Sequence, residues 1–352
     1  MFHLILTACL AGPSAPCVPI LLPQGDAASG PACMQGAARI SKDWLDRHSE
    51  LVAAGTECVP TENLPALDLQ QVAPGVFAFF GRPVQLEDST DGRIANLGVV
   101  IGQDSVAVID TGVSRMQGQQ FYTAIRRLTP KPVSHVILTH MHPDHVLGTS
   151  VFQEAGAQVL GHHALPLALQ MRAGGYLENI ARLLPPEEVL GTEIVLPDAT
   201  VQDSLRIDLG GRSLLLRAEQ TAHTDNDLTA FDDTTGTLFS GDLIFRELTP
   251  IIDGSLTGWM DWIAAPPQPE PRVIVPGHGD VAREWRQATS PQADFLKALA
   301  DVTRSQIDAG APLSEAVGII VNNLNYMNKN WNSFPASVAR DATAAYKELE
   351  WE

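Results

Sequence analysis

Cysteine is scarce in this chain and confined to one end. Cys9, Cys17, Cys33 and Cys58 all precede the main body of the 352 residues, which therefore holds no thiol nucleophile. A Gly-x-Ser-x-Gly elbow is also missing, so an activated serine of that kind is excluded. The cysteine spacings, x7, x15 and x24, contain no Cys-x-x-Cys pair and do not fit a zinc knuckle. Basic side chains are few, 23 Lys and Arg against 41 Asp and Glu, for a net charge of -18. Such a balance argues against a nucleic-acid partner and against docking to an anionic membrane surface. No apolar run approaches the roughly 20 residues needed to span a bilayer, and no repeat of solenoid period is visible.

The N-terminal stretch Met1 to Cys9 is apolar, and Leu6-Thr7-Ala8-Cys9 resembles a lipoprotein cleavage box. Yet the first basic side chain other than histidine is Arg39, and Gly12-Pro13 breaks the stretch early. An export signal needs a positive start and a longer apolar centre, so a short first strand is an equal reading. Four cysteines within about sixty residues point to a small module held by two disulfides, with three pairings open. Four reduced thiols are the alternative. If the disulfides form, the compartment is oxidising, which in a Gram-negative bacterium is the periplasm. In this module Ala38 to Ala54 reads as one helix, from Ile40, Trp44, Leu45, His48, Leu51 and Val52. His48 is a surface or packing residue there. Pro60 to Pro74 reads as the linker.

What is present thereafter is a succession of short apolar runs punctuated by glycine. Gly75 to Phe80, Asn96 to Ile101, Ser105 to Asp110 and Val133 to Leu138 read as buried strands. Arg115 to Leu128 and His145 to Ala155 read as helices. Gln158 to Leu160 reads as a strand, and Leu165 to Leu184, with Gly174-Gly175, as a helical or irregular segment able to cover a site. Leu205 to Leu209, Ser213 to Ala218, Leu228 to Asp232 and Thr237 to Phe239 continue the strand pattern between glycine-rich turns. After Pro291 the pattern is helical. The expected division is a cysteine-containing module over 1–65, a metal-binding domain over 66–290 and a helical extension over 291–352. Two strand-rich halves bringing polar residues to one edge suit two facing sheets covered by outer helices.

The chemistry is concentrated in Thr139-His140-Met141-His142-Pro143-Asp144-His145, directly after the strand Val133 to Leu138. Alternate residues of an extended segment share a face, so His140 and His142 can reach one ion together. Asp144 and His145 follow the turn and are free to serve a second. Imidazole and carboxylate are donors that suit zinc. Three further candidates, His223, Asp242 and His278, each follow or end a short apolar run. His162 and His163 read as packing or pocket-rim residues.

On these motifs, in this order, the chain resembles the metallo-β-lactamase fold superfamily from about Val72 onward. The resemblance implies an α/β fold, a four-layer αββα sandwich. It implies two zinc ions per chain, one on His140, His142 and His223, the other on Asp144, His145 and His278, with Asp242 bridging them. Asp144 and Asp242 are then the carboxylates at the reacting centre, and Asp110 either supports the histidine loop or is a turn residue before Gly112. A metal-bridging hydroxide would attack a small ester, thioester or lactam. Three segments, Ala222 to Leu228, Pro250 to Trp259 and Ala345 to Glu352, resemble the quinoprotein relay system zinc metallohydrolases. That likeness implies a periplasmic quinoprotein system as partner besides the small-molecule substrate. Competing readings are a mononuclear iron dioxygenase of the same fold acting on persulfides, and a non-hydrolytic metal-binding partner protein.

Overall fold

Strand alternation builds the first unit. The computed structural model describes residues 1–12 and 15–352, so Pro13 of the Gly12-Pro13 break lies outside the described residues. Strand β1 (Phe2–Leu10) is central between β2 (Cys17–Ala27) and β3 (Leu51–Pro60), both antiparallel to it. Successive side chains of a strand point to opposite faces. Leu4, Leu6 and Ala8 accordingly pack under α1 (Gly30–Met34) and α2 (Ala37–Leu45), against Cys33, Ile40 and Trp44. Ile5 and Leu21 face the other way and join the core of the main body. Two disulfides, Cys9–Cys17 and Cys33–Cys58, cross-link the unit.

Here the sequence reading needs correction. The continuous helix expected over Ala38 to Ala54 stops at Leu45, and Leu51 to Pro60 is a strand. Pairing with β1 along its whole length, from Leu10↔Leu51 to Phe2↔Pro60, outweighs the helical spacing of a few apolar residues. His48 is buried, stacked on Trp44 with ring centroids 3.7 Å apart. Pro60 to Pro74 is more than a linker, since it contains a short 3-10 turn and β4 (Gln70–Ala73).

The main body contains two sheets. One has seven strands: β4, β5 (Val76–Phe79), β6 (Leu97–Ile101), β7 (Val106–Ile109), β8 (Val133–Ile137), β9 (Gln158–His162) and β10 (Ala199–Val201), adjacent in that order. The pairings from β7 to β10 are parallel, which explains why those segments read as nearly unbroken apolar runs. The second has five: β11 (Ser204–Asp208), β12 (Ser213–Ala218), β13 (Leu228–Asp232), β14 (Thr237–Phe245) and β15 (Val273–His278). Val76, Val100, Ile109 and Ile137 from the first sheet share a core with Leu214, Leu216, Leu228 and Phe239 from the second.

Helices cover both outer faces. α3 (Arg115–Leu128), α5 (Thr149–Glu154) and α6 (Leu165–Leu183) bury Phe121, Phe152 and Leu169 against the first sheet. The expected helix over His145 to Ala155 is in fact two short ones, α4 (Pro143–Val146) and α5, because the chain turns at Leu147-Gly148. Gly148 leaves no room there for a side chain, since a Cβ would lie 2.1 Å from the Thr111 carbonyl oxygen. A further short helix, α7 (Pro186–Val189), follows α6. Beyond the second sheet lie α8 (Leu256–Ile263), α9 (Trp285–Asp308), α10 (Leu313–Leu324) and α11 (Phe334–Leu349). Their core gathers Trp259, Phe295, Leu299, Ile320 and Phe334 with Leu243 and Phe245 of β14. Helix α9 begins before Pro291 and carries that proline in its second turn. The result is a four-layer α/β/β/α arrangement with the N-terminal unit attached at α3 and α5. There Tyr122 donates to Asp26 at 2.7 Å and Trp44 Nε1 to Glu154 at 3.1 Å.

Candidate metal centre

Strand ends deliver the donors. His140, His142, Asp144 and His145 follow β8, His223 precedes β13, Asp242 lies within β14 and His278 ends β15. They fall into two groups: His140, His142, His223 and Asp242 in one, Asp144, His145 and His278 in the other. Within each, the donor atoms lie within 4.8 Å of one another. In the first, His142 Nδ1 is 3.1 Å from His140 Nε2 and 3.0 Å from His223 Nε2. In the second, Asp144 Oδ2 lies 3.4 Å from both His145 Nε2 and His278 Nε2. Asp242 stands between them. Its Oδ2 is 3.6 Å from His140, 3.5 Å from His223 and 3.3 Å from His278, and its Oδ1 is 3.2 Å from His145.

The outward ring nitrogens show how the histidines are aimed. His223 Nδ1 hydrogen-bonds the Ile251 carbonyl at 2.7 Å, and His278 Nδ1 the Ile94 carbonyl at 2.9 Å. His145 Nδ1 meets Asp110 at 2.8 Å, and His142 Nε2 meets Asp253 at 3.1 Å. Such outer partners fix the ring and its tautomer. Asp110, at the end of β7 with φ 56, also accepts from the Thr139 backbone N–H at 2.8 Å and from its hydroxyl at 2.7 Å. That hydroxyl lies 3.0 Å from His140 Nδ1. One carboxylate thus braces two of the histidines. A positive φ is costly for a residue other than glycine, and the three bonds to Asp110 hold it there. Gly277 is needed beside Asp242, because a Cβ at that position would lie 1.8 Å from Oδ1.

The donor set fits a cation. His145 Nε2 and Asp242 Oδ1 are buried and have no hydrogen-bond partner, although buried polar atoms are nearly always paired. Burial, with the neighbouring His145, pushes His140 well below its ordinary pKa, and burial pushes His223 down to about 3. Both rings are therefore neutral, the form that can ligate. Burial also opposes charge on Asp242, but His278, His145 and His140 outweigh it and hold the carboxyl well below its usual range. Burial opposes charge on His145 too, and there Asp242, Asp144 and Asp110 outweigh it and raise the ring's pKa. Three carboxylates around one ring are the environment a bound cation would replace.

A cavity of about 230 Å³ opens onto His142, Asp144, His223, Asp242 and His278. Its other walls come from residues that sequence reasoning did not single out, among them Arg172, Tyr176, Asp253 and Arg340. Asp253 lies 111 residues along the chain from His142, within the Pro250 to Trp259 segment, where no spacing singles it out. His162 is buried, accepts from the Ala164 N–H at 3.0 Å and does not line this cavity. Burial and His163 push it down to about 4.

Residues 90–278 match the family model of the metallo-beta-lactamase superfamily, and the chain belongs to that superfamily. Among curated proteins, a linear primary-alkylsulfatase from Pseudomonas sp. (strain ATCC 19151) is 33% identical over 49 residues. That match spans 14% of this chain and 9% of the relative. Among solved structures, a metallo-beta-lactamase from Pontibacter korlensis aligns with a TM-score of 0.53 and 20% identity, over 66% of this chain and 99% of that one. The stereoselective inverting sec-alkylsulfatase Pisa1 from Pseudomonas sp. aligns with a TM-score of 0.58 and 16% identity, over 80% of this chain and 50% of that one. At these identities the structural likeness establishes the fold.

Proposed function

We propose that this chain is a binuclear zinc hydrolase acting on a small ester, thioester or lactam. His140, His142 and His223 would hold one ion, and Asp144, His145 and His278 the other, with Asp242 shared. Zinc supplies a Lewis acid and lowers the pKa of bound water to about 7, which makes a nucleophile available at neutral pH. The chain's own residues hold that chemistry in place. Asp110 and Asp253 orient His145 and His142, and the backbone carbonyls of Ile251 and Ile94 orient His223 and His278. The cavity lined by His142, Asp144, His223, Asp242 and His278 gives a substrate room beside the donors. The observation that carries the reading is the convergence of two donor groups on one buried carboxylate, Asp242, with an unpartnered oxygen.

The short likenesses to the quinoprotein relay metallohydrolases favour service in a periplasmic quinoprotein oxidation system. The two disulfides are compatible with a site outside the cytoplasm, and no helix of the described residues is long and apolar enough to cross a membrane. The test is a panel of carboxylate esters, thioesters and lactams offered to the zinc-loaded protein. Sulfate esters belong in it because alkylsulfatases are among the similar proteins. Turnover should vanish with chelation and return with zinc. Turnover that survives complete removal of metal, or no turnover of any member, would contradict the proposal.

A further inference from the structure

Helix α6 carries Arg172, Tyr176 and Asn179, spaced by four and three residues and therefore on one face. All three line the cavity beside the donor cluster, and Arg340 lines it from α11. The Tyr176 hydroxyl is buried and has no hydrogen-bond partner. Burial raises its pKa against the opposing pull of Arg172, so the phenol stays protonated and able to donate. Arg172 leans on Asp253 at 3.4 Å, the same carboxylate that bonds His142 at 3.1 Å. That single ion pair draws the exposed guanidinium toward the centre and leaves most of its five N–H donors over. Arg340 forms no ion pair among the described residues. Two arginines thus line one cavity in a chain of net charge -18, together with the carboxylates of Glu87, Asp144, Asp242 and Asp253.

We propose that Arg172, Tyr176, Asn179 and Arg340 form a subsite for an anionic oxygen group of the substrate, remote from the bond that is broken. A guanidinium fork matches the two oxygens of a carboxylate, and of a sulfonate nearly as well. The phenol and the Asn179 amide supply neutral donors to complete its shell. The substrate class is then a small ester, thioester or lactam that also bears a carboxylate or sulfonate. This rests on the hydrolase reading for the reacting end but not for the anion itself, which the subsite would hold in the absence of any reaction.

The experiment separates the two. Calorimetric titration of the zinc-loaded full chain with glutarate and with propane-1-sulfonate reads the subsite directly. Paired hydrolysis of a neutral nitrophenyl ester and its carboxylate-bearing counterpart reads the substrate preference. Arg340→Gln and Arg172→Gln should each weaken anion binding roughly tenfold or more, and Tyr176→Phe by several-fold. Metal content and melting temperature should be unchanged in Arg340→Gln and Tyr176→Phe, and the loss should fall on KM for the charged ester alone. A carboxylate bound only by the metals would bind all the variants equally, and that result overturns the proposal. So would equal KM for charged and neutral esters in the wild type. Retained anion binding without turnover of any substrate would uphold the subsite and remove the hydrolase reading. Preference for glutarate or for the sulfonate tells which oxyanion the subsite is shaped for.

Discussion

His3 and His145 are both fully buried and both paired to an aspartate, yet their surroundings differ in one respect. His3 uses both ring nitrogens, Nδ1 with Asp26 at 2.7 Å and Nε2 with the Thr61 hydroxyl at 2.9 Å. His145 uses only Nδ1, with Asp110 at 2.8 Å, and turns a bare Nε2 toward Asp144 and Asp242. The first is a polar pair closing the seam between the N-terminal sheet and α3. The second leaves a buried ring nitrogen facing two carboxylates with no hydrogen bond. A bare second nitrogen marks a donor only where carboxylates and other histidines converge on it, since the buried His48 in the N-terminal unit also has an unpartnered Nε2. The two regions also differ in how they are held together. The N-terminal unit has a small core and two disulfides, as small units commonly require. The sandwich has large apolar cores and no disulfide.

The sharpest way to break this comparison is to remove the shared carboxylate. Asp242→Ala takes a negative charge from between both donor groups, and repulsion between two cations rises accordingly. It is expected to lose both metals and all hydrolysis, whereas His140→Ala should mainly weaken the ion held with His142 and His223. Metal stoichiometry of the two variants checks this, and full occupancy in Asp242→Ala would assign the ligands elsewhere. Replacing Cys33 and Cys58 by alanine opens a loop of 25 residues. The expected loss is about 3 kcal/mol from chain entropy, read by urea unfolding, with metal content retained.

A smaller effect should follow at His3. His3→Gln loses a buried hydrogen bond to Asp26 or Thr61, which keep Tyr122 and the Met1 carbonyl as partners, at a cost of about 0.5–1.5 kcal/mol, and should leave metal binding untouched. Metal loss in that variant would show that the seam and the centre are coupled. Asp341 extends the contrast to carboxylates. It is buried, accepts from the Ile252 N–H at 2.9 Å and has one unpartnered oxygen. Unlike Asp242 it has no cluster of histidines, and burial pushes its pKa up to about 8. Between the usual carboxylate value near 4 and about 8, the folded state retains a proton that the unfolded chain has released. Stability therefore falls as pH rises through that window. Asp341→Asn keeps the acceptor and cannot ionise, so it should match the wild type near pH 4 and exceed it at pH 9, by on the order of 1–3 kcal/mol. Equal unfolding midpoints at pH 9 would show that burial does not raise the Asp341 pKa in the folded protein.

Much of this was legible in the chain because the donors sit at strand ends, where an apolar run stops and a polar motif begins. His140, His142, Asp144, His145, His223, Asp242 and His278 all carry that signal, and the structure brings them together. Asp253, Arg172 and Tyr176 fall only within longer segments, Pro250 to Trp259 and Leu165 to Leu184, and nothing in the chain marks them individually. Only the fold sets them at the cavity, Asp253 against His142 from 111 residues away. The misread helix over Ala38 to Ala54 has the same cause. Its strand half is dictated by β1, some fifty residues earlier along the chain, which no local window contains.

The central claim is that the two unpartnered donor groups are a binuclear metal centre. Metal analysis of the protein purified without chelator tests it most directly. The account predicts about two equivalents of zinc per chain, falling below one in Asp242→Ala and unchanged in His162→Ala. One equivalent of iron as the dominant metal, or loss of metal in His162→Ala, would contradict it.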